Sequence, residues 1–326
     1  MAETETFVGI DVAKDWLDVV WLPAGTHWQV ANDATGWAQL CTALMGDAPV
    51  LSVLAATGKH EHGVVATLAA AGLTPVVANP LTIRRFAQSR GQRAKTDRCD
   101  AEVLAQYGQC VRPPVQPVPD ATLRPLQEGL ARHRQLTKML VAERNRRQQA
   151  APCVAASHEA MITWLSAERD RIDALVATVV ASDPVWPERV DLLRSVPGIG
   201  TYTATAVAVG LPELGDATSK ELAALSGVAP YAGASGRHQG ERRIAGGRAA
   251  VRQALYPILT SMLTCNLVFR GHYDHLRAKE HAPKRHKVAM VACMRRLLGL
   301  LNAMIREKLA WPATDVGPGQ FLVPAA

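Results

Sequence analysis

FVGIDV (Phe7–Val12), WLDVVWL (Trp16–Leu22) and HWQVA (His27–Ala31) open the chain as three short runs rich in β-branched and aromatic residues. Lys14-Asp15 separates the first two and Pro23-Ala24-Gly25 the next, which are turn signals. Three runs so closely spaced predict an antiparallel meander. Outward from it, Gly36–Leu44 reads as a helix, Val50–Ala55 as a buried strand, Gly63–Ala71 as a helix and Pro75–Ala78 as a last strand. The order β-β-β-α-β-α-β, with apolar strands late, predicts a mixed sheet covered by helices.

Beyond the sheet the pattern changes. Arg84, Arg85, Arg90, Arg93, Lys95 and Arg98 fall within fifteen residues, with Asp97 their one acid. A helical run follows over Asp100–Gln109, then a connector stiffened by Pro113, Pro114, Pro117 and Pro119. Ala121–Ala150 reads as a long helix. After Pro152, residues Ile162, Leu165, Arg169, Ile172, Val176 and Val179 recur at steps of three and four. That seam fits either an antiparallel coiled-coil arm or an amphipathic helix docked on a domain. From Trp186 onward helix signals dominate, broken at Pro197–Gly200 and Gly227–Gly247, and Pro312–Ala326 reads as a tail. Expected domains are therefore residues 1–120, a helical arm at 121–182 and a mainly helical domain at 183–326.

Composition narrows the classes. The 326 residues are 48% hydrophobic and 20% charged, enough for more than one core, which excludes a disordered, collagen-like or disulfide-stapled chain. No run of about 18 apolar residues occurs, so no membrane span is expected. The acidic start lacks the basic region of a signal peptide. Six scattered cysteines without a CxxC pair read as reduced thiols of a cytoplasmic protein. The net charge is +7: residues 1–180 hold 18 Lys+Arg against 18 Asp+Glu, and residues 181–326 hold 18 against 11. An excess confined to the C-terminal part points to a polyanion, nucleic acid before membrane.

Several constellations carry chemistry. Asp11 ends the first strand; in an RNase H-like sheet, which has this strand order, a carboxylate there sits where divalent metal is held for phosphodiester chemistry. A strand-end turn is the plainer reading. Asp97 and Asp100, three residues apart at a helix start, share a face. Capping accounts for one of them and not both, and hard oxygen ligands suit Mg²⁺ or Mn²⁺. Ser195–Ala204 resembles the turn of a helix-hairpin-helix module, in which Gly198 and Gly200 would let backbone approach a phosphate. Ser235 lies in a small-residue loop and by itself reads as a turn residue, with no base spelled out beside it. Arg237, Arg242, Arg243, Arg248 and Arg252 follow it, with guanidinium forks suited to phosphate. Lys284–Lys287 and Arg295-Arg296 make a basic helix that is either a phosphate face or a solvated one. His60-Glu61-His62 has no third ligand in view and reads as polar surface.

Taken together, GIDVAKDWLDV, AATGKHE, KTDRCDAEVLA, LLRSVPGIGTYTA and LSGVAPYAGASG, in this order, resemble the DEDD-type insertion-sequence transposases. That family includes Piv-like DNA invertases and bridge-RNA-guided serine recombinases. The resemblance implies a RuvC-like (RNase H fold) N-terminal domain, a coiled-coil arm used in dimerisation, and a C-terminal transposase domain with a helix-hairpin-helix-like segment. It implies four acids holding Mg²⁺, and a serine that attacks DNA to give a covalent phosphoserine within a dimer or tetramer. Donor and target DNA would be paired through a bridge RNA, in the bacterial cytoplasm. On this pattern Asp11, Asp97 and Asp100 match the first, third and fourth acids, and Ser235 the nucleophile. Arg84, Arg85, Arg90, Arg93 and Lys95, with the glycines and arginines above, would contact nucleic acid. Two positions depart from the pattern. Ile244-Ala245-Gly246 replaces an Ile-Ser-Lys-like stretch, and Ala55 stands where the family has glutamate, with Glu61 an unconvincing substitute six residues on. A binding form without catalysis and a RuvC-like hydrolytic nuclease therefore remain open beside the recombinase.

Overall fold

The computed structural model describes residues 5–46, 49–55, 58, 60–91, 97–115, 123–235, 238–278 and 283–311. The chain divides into two compact units, Met1–Pro119 and Asp120–Ala326.

In the first unit β1 (Phe7–Val12), β2 (Trp16–Leu22) and β3 (Thr26–Ala31) form the expected antiparallel meander. After α1 (Ala34–Met45), β4 (Leu51–Ala55) adds to β1 in parallel. After α2 (His62–Ala70), β5 (Pro75–Ala78) adds to β4, giving the order β3-β2-β1-β4-β5. The period of two sorts each strand between two cores. Val8, Ile10, Val12, Leu17, Val19 and Leu54 face Leu40, Leu44, Val64 and Leu68 of α1 and α2. Phe7, Val53, Ala55, Val76 and Ala78 face the opposite layer, made by α3 (Pro80–Ser89) and α4 (Asp97–Val111) through Ile83, Val103 and Leu104.

Helix α3 occupies a segment that reads as a charge run in the sequence. Asn79 caps it by accepting from the Leu81 amide at 2.9 Å, and Pro80 takes the first-turn position where its missing N–H costs nothing. Helix α4 starts three residues before the expected Asp100 and ends two after Gln109. Most of the proline-rich connector and all of the tail at 312–326 lie outside the described residues.

The second unit begins with α5 (Leu123–Gln149) and α6 (Pro152–Ala181), with Pro152 in the first turn of α6. Their cross-links fix the direction: His133 to Asp173 (2.5 Å), Glu143 to His158 (2.6 Å) and Arg147 to Glu159 (2.8 Å). From the first pair to the other two, numbers rise on α5 and fall on α6, so the pair is an antiparallel hairpin. Its seam is Leu136 and Leu140 against Leu165, while Leu126, Leu130 and Val176 merge into the C-terminal core. Leu165→Ala is expected to cost about 2–5 kcal/mol through the cavity it opens. The check is a lower denaturant midpoint for the transition that melts the C-terminal unit.

The rest is α7 (Val185–Arg194), α8 (Thr201–Gly210), α9 (Ser219–Leu225), four two-residue strands, α10 (Ala249–Cys265), α11 (Leu267–Ala278) and α12 (His286–Glu307). The strands are β6 (Pro230–Tyr231), β7 (Ala234–Ser235), β8 (His238–Gln239) and β9 (Arg243–Ile244). Helix α12 is long and apolar enough to cross a membrane by composition. It is instead a core helix, burying Met290, Cys293, Leu297, Leu298 and Leu301 among the helices of this unit. Its buried Asn302 is fully engaged, accepting from the Gly215 amide (2.6 Å) and donating to the Ala217 carbonyl (2.9 Å).

Candidate active site

The strand register builds the acidic edge. Asp11 pairs across β1–β2 with Asp18, and Asp18 across β2–β3 with Gln29. On the other side Ile10 pairs with Leu54, so the next step along both parallel strands sets Ala55 beside Asp11, with Ala78 beyond it. Gln29, Asp18, Asp11, Ala55 and Ala78 thus form one row on the face covered by α3 and α4.

Helix α4 lies against that face at backbone contact. A Cβ built on Gly9 would overlap the Ala101 carbonyl oxygen and the Ala105 amide nitrogen. One on Gly108 would come 2.9 Å from Val53 and 3.6 Å from Phe7. Ala101 over Gly9 and Gly108 over Phe7 make α4 run antiparallel to β1. Its first turn, with Asp97 and Asp100, therefore lies toward the strand end that carries Asp11. Asp100 is half-buried, while the Asp97 side chain lies outside the described residues. Among the described residues no three His, Cys, Asp or Glu side chains form a metal-holding group. In donor chemistry Asp11 is a hard oxygen ligand of the kind that suits a hard cation, while the methyl of Ala55 beside it offers none.

Two further acids at this end are structural surprises. Asp18 is 7% exposed. One of its oxygens lies 3.0 Å from His27 Nε2, and the other accepts from Gln29 Nε2 at 3.2 Å, so both are committed toward β3. Alternation within WLDVVWL signalled that Asp18 shares a face with Val20, but not that this face is covered. Glu61, expected as polar surface, is also 7% exposed because it sits at the N-terminus of α2, which packs on the sheet.

On α3, Arg84 and Arg85 are exposed, and the Arg90 guanidinium lies 5.8 Å from the centre of the Phe86 ring. Arg93 and Lys95 lie outside the described residues.

In the second unit the Pro197–Gly200 turn joins α7 to α8. Val196 and Ile199 are buried while Gly198 and Gly200 are exposed. Gly198 has φ +91°, and a Cβ there would come 3.1 Å from Ser261 Oγ and 3.3 Å from the Met262 amide nitrogen. Its glycine is thus demanded by the turn and by packing on α10. Gly200 caps α8 without a side-chain bond, leaving the first amides of that helix to solvent or a ligand.

Ser235 lies on β7, directly opposite His238 on β8, with residues 236 and 237, and so Arg237, outside the described residues. The sequence reading named no residue opposite this serine; the pairing of β7 with β8 supplies His238 there. Pro230 and Tyr231 pair with Ile244 and Arg243, closing the loop at its base. Arg242 and Arg243 are exposed. Arg248, expected to face phosphate, is held within the unit. Its two terminal nitrogens bond Glu213 at 2.5 and 2.6 Å, and one also donates to the Gly210 carbonyl. Burial raises the Glu213 carboxyl, but hydrogen bonds from Arg248 and from its own backbone, with the charges of Arg248 and Arg189, bring it below the usual range. Arg252 likewise donates to the Gly227 and Gly246 carbonyls and braces the loop.

With an acidic edge on a mixed sheet in one unit and a serine hairpin in a helical one, family models settle the class. A DEDD-type model described as Transposase matches residues 8–151, and the Transposase IS116/IS110/IS902 family model matches residues 190–274. Both describe enzymes that rearrange DNA. The chain belongs to the IS110-type transposase family. It is similar to the Pilin gene-inverting proteins of Moraxella bovis and Moraxella lacunata. Each is 27% identical over 322 residues, covering 93% of this chain and 97% of the relative.

Proposed function

We propose that this chain cuts and rejoins the DNA of a mobile element through Ser235, with Asp11, Asp97 and Asp100 holding Mg²⁺ or Mn²⁺. The observation that supports this reading is the approach of α4 to β1 at Gly9, with the first turn of α4 toward the strand end that carries Asp11. A divalent ion bound there would neutralise charge on the scissile phosphate. The serine hydroxyl attacks phosphorus and loses its proton as the P–O ester bond breaks. The departing DNA end keeps a hydroxyl, and a later hydroxyl reverses the step without hydrolysis. Arg84, Arg85, Arg242, Arg243 and the open amides of α8 are suited to the phosphates of donor and target DNA. A bridge RNA would supply sequence choice, in the bacterial cytoplasm. Met139, Val141, Met161 and Trp164, exposed on the arm, suit a dimer or tetramer.

The test is a denaturant-resistant protein–DNA adduct. The reaction combines the chain, RNA transcribed from its element's flank, the element's DNA ends and Mg²⁺. An adduct that disappears with Ser235→Ala is the expected result. Cleavage that survives Ser235→Ala and leaves free ends would instead make the chain a hydrolytic nuclease. The missing carboxylate at Ala55 favours one second reading, a form that binds nucleic acid without cutting it; its mark is tight binding and no adduct in any metal.

A further inference from the structure

The surface shared by α11, residues 283–285 and the start of α12 holds a concentration of positive charge that the proposed function leaves unused. The Lys284 amide donates to the Leu276 carbonyl at 3.0 Å, and Arg277 donates to the Lys284 carbonyl at 3.1 Å. The Tyr273 hydroxyl lies 2.7 Å from His286 Nδ1. These hydrogen bonds hold the linking residues against α11. Burial first, then the charges of Arg296, His275 and Lys284, keep the His272 imidazole below its usual range, so these cations share one neighbourhood.

Among the described residues, Arg270, Lys284, Arg285, Lys287, Arg295 and Arg296 make no ion pair with a carboxylate. Elsewhere in the same unit Arg124, Arg146, Arg147, Arg171 and Arg194 each have one. Asp274 is the one described acid on α11. Helix α12 has no acid in its first turn and no side-chain cap, so Arg285, His286 and Lys287 stand at the positive end of its dipole. Helix stability alone would favour acids there. The arrangement instead concentrates a potential suited to a polyanion.

We infer that this face is a binding surface for the phosphate backbone of duplex DNA, additional to the serine hairpin and the α7–α8 turn. It rests on the DNA-acting reading above. Duplex is favoured over unpaired strands because Tyr273 is half-buried and engaged with His286, leaving no free Phe, Tyr or Trp ring on this face among the described residues.

The test uses the full chain and a fluorescent random-sequence DNA duplex, with binding followed by anisotropy between about 50 and 200 mM salt. Arg285→Gln, Lys287→Gln and Arg296→Gln are combined, none of them buried, and unchanged thermal melting confirms folding. Lys138→Gln with Arg144→Gln and Arg134→Gln, on the arm, forms a charge-matched control. The salt slope of log K is expected to shrink by about 0.9 for each phosphate no longer neutralised, and by about 2 to 3 for the triple variant. The arm control should keep its slope. Equal slopes in the two triple variants, or weakening confined to a structured RNA probe, would overturn the assignment while leaving the transposase reading intact. Failure of the unaltered chain to bind any duplex would overturn both.

Discussion

Ala55→Glu is expected to raise the yield of covalent protein–DNA adduct by about 10²-fold or more, the scale on which metal sites respond to their ligands and supporting groups. Position 55 ends β4, next to Asp11 in the row of residues that faces α4. Its neighbour on the far side is Ala78, so the row has small residues where a longer side chain must turn. The change also has a readout that does not pass through catalysis. A second carboxylate beside Asp11 is repulsive until a cation bridges the pair. The variant should therefore melt lower than the parent without divalent metal and gain more from added Mg²⁺, since a ligand of the folded state stabilises by mass action. Neither an adduct nor a Mg²⁺-dependent gain would sink the assignment of this edge to metal.

Gly9→Ala carries the largest expected loss of stability, about 3 kcal/mol or more in the N-terminal unit. The added carbon meets backbone atoms of Ala101 and Ala105 rather than the movable end of a side chain. Strand and helix can then only separate, and the Val103 and Leu104 packing against Phe7 and Val53 opens with them. The control is Gly46→Ala in the same unit, where a Cβ meets nothing within 4 Å and φ is −69°. Chemical denaturation of the full chain should show an earlier transition for Gly9→Ala alone, with the C-terminal transition unmoved. If the chain still folds, α4 is displaced, and Asp97 and Asp100 move away from Asp11. Adduct formation should fall accordingly.

The sheet was legible because its strands are short runs rich in β-branched and aromatic residues bounded by turn residues. Where a strand is too short for such a run, reading failed. Strands β6 to β9 are two residues long and carry no alternation. Helix α3 was hidden by its arginines, although Asn79-Pro80 is a helix start in plain view. The candidate acids Asp11, Asp97 and Asp100 were found by spacing and by resemblance. The packing of the helix that carries Asp97 and Asp100 on the strand that carries Asp11 depends on Gly9, whose role only the structure reveals. Charge read along the chain was least reliable for Arg248. Its partner Glu213 lies 35 residues earlier, and nothing local announces the pair.

The hairpin of α5 and α6 has a mechanical consequence. Helices of 27 and 30 residues, at 1.5 Å per residue, extend about 40 Å. The inner part is anchored by leucines shared with the C-terminal core. The outer part is locked by the Glu143–His158 and Arg147–Glu159 pairs, close to the reversal at residues 150–151. A rod so braced at both ends resists bending, and the distance from its root to its tip is written in the number of residues per helix.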